Sequence, residues 1–283
     1  MPKLLLDIQS MSVAFSGKRI VKNISLQVEE GETLGIIGES GSGKSVTAFT
    51  IAQLLPFNAT VDAKAFSFDG LDMLRAEKSQ IDRLRGAGWA VIFQDPTGSF
   101  NPVKTIQWHL GHVLRKRASG ERGASPEVLH ELLTSVGIKS PDRVLKSYPF
   151  QLSGGMLQRV LIAMVAALRP RLIIADEPTT NLDKVIENQI LELLADTKAA
   201  VGASVILITH DLLVAQHTCD RIAVMYGGSL VETGTTAEIL DHPRHPYTQA
   251  LLESSRSLIR GDSRLQSISA ELKASLDSQV AAA

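Results

Sequence analysis

Gly38-Glu39-Ser40-Gly41-Ser42-Gly43-Lys44-Ser45 is the stretch that decides the fold of this chain. The apolar run before it, Thr33-Leu34-Gly35-Ile36-Ile37, reads as a buried strand, and Val46 to Leu55 after it reads as a helix. The pattern G-x-x-x-x-G-K-S set between a strand and a helix is a phosphate-binding turn. Its glycines let the backbone curl until several N–H groups point at phosphate oxygens. The helix start adds partial positive charge. Lys44 can then reach β- and γ-phosphates, and the Ser45 hydroxyl can coordinate Mg²⁺.

Upstream of this turn, residues 4–15 and 20–28 alternate apolar and polar side chains and read as antiparallel strands. Downstream, 60–68 reads as a short strand before the turn Asp69-Gly70, 73–86 contains a helix, and Trp89 to Phe93 is a compact buried strand ending at Gln94-Asp95-Pro96. From about 97 to 170 the signals are helical, over roughly 105–117, 126–136 and 154–168, with 120–123 as a polar loop. Ser125-Pro126 is a good N-cap and N1 pair. This stretch is expected to form a helical lobe inserted in an α/β core. Core character returns in two apolar strands, 171–176 and 204–209, with a helix at about 184–200 between them. A hairpin at 221–233 turning on Gly227-Gly228 follows, then short helices at 235–241 and 247–255. The tail, 256–283, reads as one loose helix or as partly disordered.

With 283 residues, 44% of them hydrophobic, the chain can bury a substantial core. Its 29 basic and 30 acidic residues give no bulk attraction to nucleic acid or anionic lipid. Cys219 is the single cysteine, which rules out an intramolecular disulfide and fits a reducing setting. The start, Met1 to Leu6 followed at once by Asp7, carries no signal-peptide pattern. The longest uncharged apolar run, Val160 to Leu168, is too short to span a bilayer. Work at a membrane would therefore go through a partner.

Several strand ends carry chemistry. Asp176 and Glu177 end an apolar strand, where one carboxylate can hold Mg²⁺ and the next can polarise a water as general base. Gln94 and His210 end two further strands. Gln94 can reach Mg²⁺ or the attacking water, and a lone histidine such as His210 is more often structural outside a nucleotide fold. Leu152-Ser153-Gly154-Gly155-Met156 opens a helix with Ser153 as N-cap. Alone it reads as a cap; beside a phosphate loop it reads as a second anion-binding element.

This ordered set resembles the ATP-binding subunit of an ABC transporter over about residues 4–255. Gly38 to Ser45 is similar to Walker A, Gln94 to the Q-loop, and Leu152 to Met156 to the signature. Leu172 to Asp176 with Glu177 is similar to Walker B and its catalytic glutamate, Asn181-Leu182-Asp183 to the D-loop, and His210 to the switch histidine. The resemblance implies a P-loop ABC ATPase core with an antiparallel β subdomain and an inserted α-helical subdomain. It implies ATP and Mg²⁺ as cofactors. Phe15 is expected to stack on adenine. Gly38, Ser40, Gly41, Ser42, Gly43, Lys44, Ser45 and Val46 are expected to hold the phosphates, with Ser45, Gln94 and Asp176 toward Mg²⁺. Glu177, Gln94 and His210 are the expected catalytic residues. Ser153, Gly154, Gly155 and Asp183 are expected to meet ATP held by a second chain.

Finer marks resemble the dipeptide, oligopeptide and nickel importers: Gly38 to Thr47, Phe93 to Pro96 with Asn101-Pro102, and His245-Pro246-Tyr247-Thr248-Gln249-Ala250-Leu251-Leu252. Met156 is similar to the D-type subunit, which pairs with a distinct second ATPase. The implied partners are that ATPase, two membrane permease subunits at whose cytoplasmic face the chain would sit, and an extracytoplasmic solute-binding protein; nucleic acid is not among them. Asn181 departs from the usual D-loop alanine. Peptide-type members often carry a cysteine-rich segment absent here, and Arg143 to Phe150 is similar to nickel-type members, which moves weight from short peptides toward nickel or a metal chelate as solute. His242 and His245, flanked by prolines, read as structural. The rival class is the soluble ABC ATPases of DNA maintenance and repair, whose coiled-coil type needs a heptad insertion between Gln94 and Leu152 that has no room here.

Overall fold

The computed structural model describes residues 3–117, 125–180 and 182–260, so the loop 120–123, Asn181 and the tail beyond 260 lie outside it. In chain order the elements are β1 (Leu4–Phe15), β2 (Lys18–Glu29), β3 (Thr33–Ile37), α1 (Lys44–Ile51), β4 (Ala59–Asp62), β5 (Ala65–Phe68) and β6 (Leu71–Asp72). Next come α2 (Lys78–Leu84), β7 (Trp89–Ile92), α3 (Ile106–Arg117), α4 (Pro126–Ser135), α5 (Pro141–Lys146), α6 (Gly154–Leu168), β8 (Leu172–Asp176) and α7 (Lys184–Val201). The last group is β9 (Ser204–Thr209), α8 (Leu212–Thr218), β10 (Arg221–Tyr226), β11 (Ser229–Thr235), α9 (Thr236–Asp241) and α10 (Pro246–Arg260). The described residues fall into two compact units, 3–77 with 206–260, and those between 78 and 205.

In the first unit β1 is long enough to serve three antiparallel partners: β2 along one edge, β4 against Ser12 to Phe15 and β5 against Leu6 to Gln9 on the other. Leu6, Ile8, Met11 and Val13 of β1 are fully buried, with Phe66 and Phe68 of β5 beside them in the core. Ser16 and Gly17, both at positive φ, close the two-residue hairpin from β1 to β2. The expected single strand at 60–68 is two strands, because β4 is mostly exposed while β5 alternates buried and half-buried residues. The second layer holds β10 parallel to β3 and antiparallel to β11. All five residues of β3 are buried, as a strand covered on both faces requires. Helix α1 stops at Ile51, short of the expected Leu55, because Gln53 turns left-handed at φ 56 and Pro56 follows. The short α8 was not legible from periodicity, although Asp211 caps it by accepting the Leu213 N–H at 2.9 Å.

The second unit is organised by α6. Leu157, Val160, Leu161, Ile162, Ala163, Val165 and Ala167 are all buried, and α3, α4, α7 and β7 pack on this one helix. Each of the Leu, Val and Ile side chains among them contributes about 1.5–3 kcal/mol relative to exposure. Strands β7 and β8 pair parallel, Trp89 opposite Leu172 and Ile92 opposite Ala175. Ser125 caps α4 and Pro126 opens it, as the sequence indicates. Helix α5, six residues after Ser140-Pro141, is too short to show a period.

Candidate functional site

The phosphate loop belongs to the first unit, between β3 and α1. Its conformation excludes side chains at two glycines. A Cβ at Gly38 would lie 2.1 Å from the Met225 carbonyl oxygen, and one at Gly43, where φ is 102°, would lie 2.9 Å from Met225 Cε. Gly43 is the N-cap of α1 and offers no side-chain cap. The Lys44 ammonium, almost wholly buried, donates to the carbonyls of Gly38 at 2.8 Å and Glu39 at 3.0 Å. Those two bonds aim the charge back across the loop. Ser42 Oγ is buried with no hydrogen-bond partner in the protein, leaving a polar atom that an oxygen of a bound molecule could satisfy. A Gly38 without room for a Cβ, a left-handed Gly43, an orphan hydroxyl and a caged ammonium fit a chain of phosphates.

The loop is braced from outside by elements distant in sequence. Gly228 N–H, in the turn from β10 to β11, donates to Ser42 O at 3.1 Å, and Lys22 N–H donates to Gly228 O at 2.7 Å. Thr47 Oγ1 donates to Gly43 O at 3.1 Å. Tyr247 Oη accepts the Glu39 N–H at 3.0 Å. Phe15 ends β1 at the hairpin, half-buried, and His210 stands exposed at the end of β9; both lie in this unit.

The carboxylates belong to the second unit. Asp176, the last residue of β8, is buried. Glu177 follows with φ 46, a left-handed conformation uncommon for a residue with a Cβ and characteristic of sites held by their surroundings. Its Oε2 accepts from Gln94 Nε2 at 3.2 Å and from Thr180 Oγ1 at 2.8 Å. The two strand-end residues Gln94 and Glu177 are thus brought together. Thr180 was not foreseen, and neither was Glu187, which accepts from Thr179 Oγ1 at 3.1 Å and pairs with Lys184 at 2.8 Å behind the turn. Thr180 lies in a polar run whose spacing carries no period, and Glu187 reads from the sequence as an ordinary polar position in the first turn of α7.

Ser153 is the N-cap of α6, its Oγ accepting from Met156 N–H at 3.4 Å. A Cβ at Gly155 would come within 3.0 Å of Ile186 Cγ2, so glycine there permits the approach of α7. Asp183 caps α7, accepting from Val185 and Ile186 N–H groups at 3.1 and 3.0 Å. Gln158, the fifth residue of α6, is buried with neither amide atom partnered.

A family model described as ABC transporter matches residues 21–180, and one described as oligopeptide/dipeptide transporter, C-terminal region, matches residues 231–278. The chain belongs to the ABC transporter family. It is the ATP-hydrolysing cassette of that family, in agreement with the resemblance drawn from its motifs. This ABC ATPase is 46% identical to the dipeptide transport ATP-binding protein of Haemophilus influenzae, over 93% of the chain and 81% of that relative. It is 42% identical to the oligopeptide transport ATP-binding protein of Bacillus subtilis, over 90% and 72% respectively. Among solved structures, a dimeric ATP-binding cassette in a post-hydrolysis state, bound to ADP and Pi, superposes with a TM-score of 0.71 at 27% identity, covering 82% of this chain and 99% of the other. No helix among the described residues is long and apolar enough to cross a membrane.

Proposed function

We propose that this ABC ATPase energises the import of dipeptides and short oligopeptides. The observation that carries the reading is the match of residues 231–278 to the C-terminal region of oligopeptide/dipeptide transporters. The relatives named above, called dipeptide and oligopeptide transport proteins, favour the same solutes. The nickel alternative rests on Arg143 to Phe150 and on the missing cysteine-rich segment alone. The DNA-maintenance alternative gains no support from these relatives.

In this reading Gly38 to Val46, including Ser40 and Gly41, hold the phosphates of ATP and Phe15 stacks on its adenine. Ser45, Gln94 and Asp176 are the oxygen donors toward Mg²⁺, which when bound neutralises charge on the β- and γ-phosphates. Glu177 is the general base. Hydrogen bonds from Gln94 and Thr180 orient its carboxylate, which takes a proton from the water that attacks the γ-phosphorus as ADP leaves. His210 contacts the γ-phosphate. Ser153, Gly154, Gly155 and Asp183 serve ATP bound by a second, unlike ATPase subunit, so that closure and reopening of the pair drive two permease subunits. A solute-binding protein outside the membrane would deliver the peptide, and the ATPase would sit peripherally at the cytoplasmic face. Val103 and Phe150 of the helical unit are both 72% exposed, which suits docking of a permease there.

Deletion of the gene from its host tests the solute. Uptake of labelled dipeptide should be lost, nickel uptake should stay normal, and the wild-type gene but not Glu177→Gln should restore transport. Loss of nickel uptake with dipeptide uptake intact would reverse the assignment.

A further inference from the structure

Tyr247 has no place among the nucleotide-site residues, yet it bonds to the phosphate loop from the far end of the sequence. It is fully buried in the first turn of α10, and its ring packs on Tyr226 at 4.6 Å between centroids, tilted by 49°. Tyr226 ends β10 next to Met225, the residue that closes over Gly38 and Gly43. The Tyr247 hydroxyl oxygen accepts the Glu39 N–H at 3.0 Å. That N–H shares one peptide plane with the Gly38 carbonyl, and the Gly38 carbonyl oxygen accepts from Lys44 Nζ at 2.8 Å. A trans peptide is planar, with N–H and C=O pointing in opposite directions. Holding the N–H therefore fixes where the carbonyl points. Glycine on one side of this peptide makes its rotation easy, so an outside bond is needed to hold it.

The position of Tyr247 is itself fixed. Glu232 of β11 accepts the N–H groups of Arg244 at 2.7 Å and His245 at 3.1 Å, and His245 Nδ1 accepts the Tyr247 N–H at 3.2 Å. Burial pushes the phenol up to about 12, so the hydroxyl stays neutral and brings no negative charge to the loop.

We infer that Tyr247 is a positioning residue for nucleotide binding: through the single peptide plane 38–39 it orients the Gly38 carbonyl and, with it, the Lys44 ammonium. The His-Pro-Tyr segment after β11 is thereby tied to affinity for the phosphates. This rests on Lys44 being a phosphate ligand.

Tyr247→Phe tests it, since phenylalanine keeps the ring and its packing and deletes only the acceptor. MgATP affinity of the full chain should fall about 5–10-fold, the loss of one hydrogen bond at a charged site, while the nucleotide-free melting temperature stays within about 3 °C. Lys44→Arg, which keeps the charge but not the ammonium geometry, should weaken MgATP on its own. Added to Lys44→Arg, Tyr247→Phe should cost less than a further twofold, because there is no ammonium left to orient. Added to Phe15→Ala at the adenine end, its loss should multiply in full. Wild-type MgATP affinity in Tyr247→Phe, or a loss that multiplies in full with that of Lys44→Arg, would reduce Tyr247 to packing and overturn the inference. Wild-type affinity in Lys44→Arg would instead overturn the phosphate role of Lys44, a separate result.

Discussion

The phosphate loop and the end of β8 are made from opposite materials. The loop is backbone: a Gly38 with no room for a Cβ, a Gly43 held left-handed, carbonyls that cage Lys44, and a Ser42 carbonyl and a Glu39 N–H held from the β10–β11 turn and from α10. The end of β8 is side chain: a buried Asp176, and a Glu177 whose carboxylate is held by Gln94 and Thr180. A backbone site is suited to hold a substrate whatever its reaction stage, and a side-chain site is suited to move a proton. The two should fail differently when broken.

The largest effect is expected at the loop. Lys44→Ala should lower MgATP affinity by at least about 10²-fold, since in the proposed reading the ammonium is the cation that meets the phosphates. The Lys44 ammonium bonds carbonyls of its own loop, so the fold should survive; titration and a melting curve together check this. Ser153→Arg comes next and touches neither region. ATP affinity of the isolated chain should be unchanged while hydrolysis by the assembled transporter collapses. Loss of ATP binding in the isolated variant would mean that Ser153 acts within its own chain. Phe15→Ala should weaken MgATP by roughly 1 kcal/mol, about fivefold, with little change in the turnover of bound nucleotide.

The smallest effect concerns the helical unit alone. His109 is buried, its Nε2 accepting the Asn101 N–H at 2.9 Å and its Nδ1 paired with the Thr105 carbonyl at 2.8 Å. Burial pulls its pKa below 6.5, against the Thr105 bond and with His112 adding to the lowering. The unfolded chain therefore takes up the proton first as pH falls. Stability is full above about 6.5 and declines as pH drops from there through the lowered folded value. His109→Gln should flatten the fall in melting temperature between about pH 7 and 5, leaving the part due to His245, whose pKa burial also lowers. MgATP affinity should not move.

The same contrast explains what the sequence made legible. A site built from backbone must be written in glycines at fixed spacing, so Gly38 to Ser45 could be read directly. Continuous burial made β3, β8 and β9 equally plain; α6 began at the cap Ser153 that its sequence indicates, and α7 began within the expected bounds, with Asp183 as an unforeseen cap. Glu177 was legible as a carboxylate just past an apolar strand, and Gln94 chiefly as a member of an ordered set of motifs; nothing in either residue's neighbours required their contact. Thr180 and Tyr247 were not legible as site residues, because a side chain that acts through one hydrogen bond leaves no period or spacing behind. The bounds of α1 were missed for a local reason, the left-handed turn at Gln53, and α5 and α8 because six or seven residues hold less than two helical repeats.

The division of labour between the two regions is tested most directly by Glu177→Gln in the assembled transporter, with MgATP binding and hydrolysis measured on the same sample. The amide oxygen can still accept from Gln94 and Thr180, so the local structure is kept while the base is removed. Binding should stay within about twofold of the parent and hydrolysis should fall ~10²–10⁴-fold. Hydrolysis at the parent rate, or a loss of binding equal to the loss of hydrolysis, would contradict it.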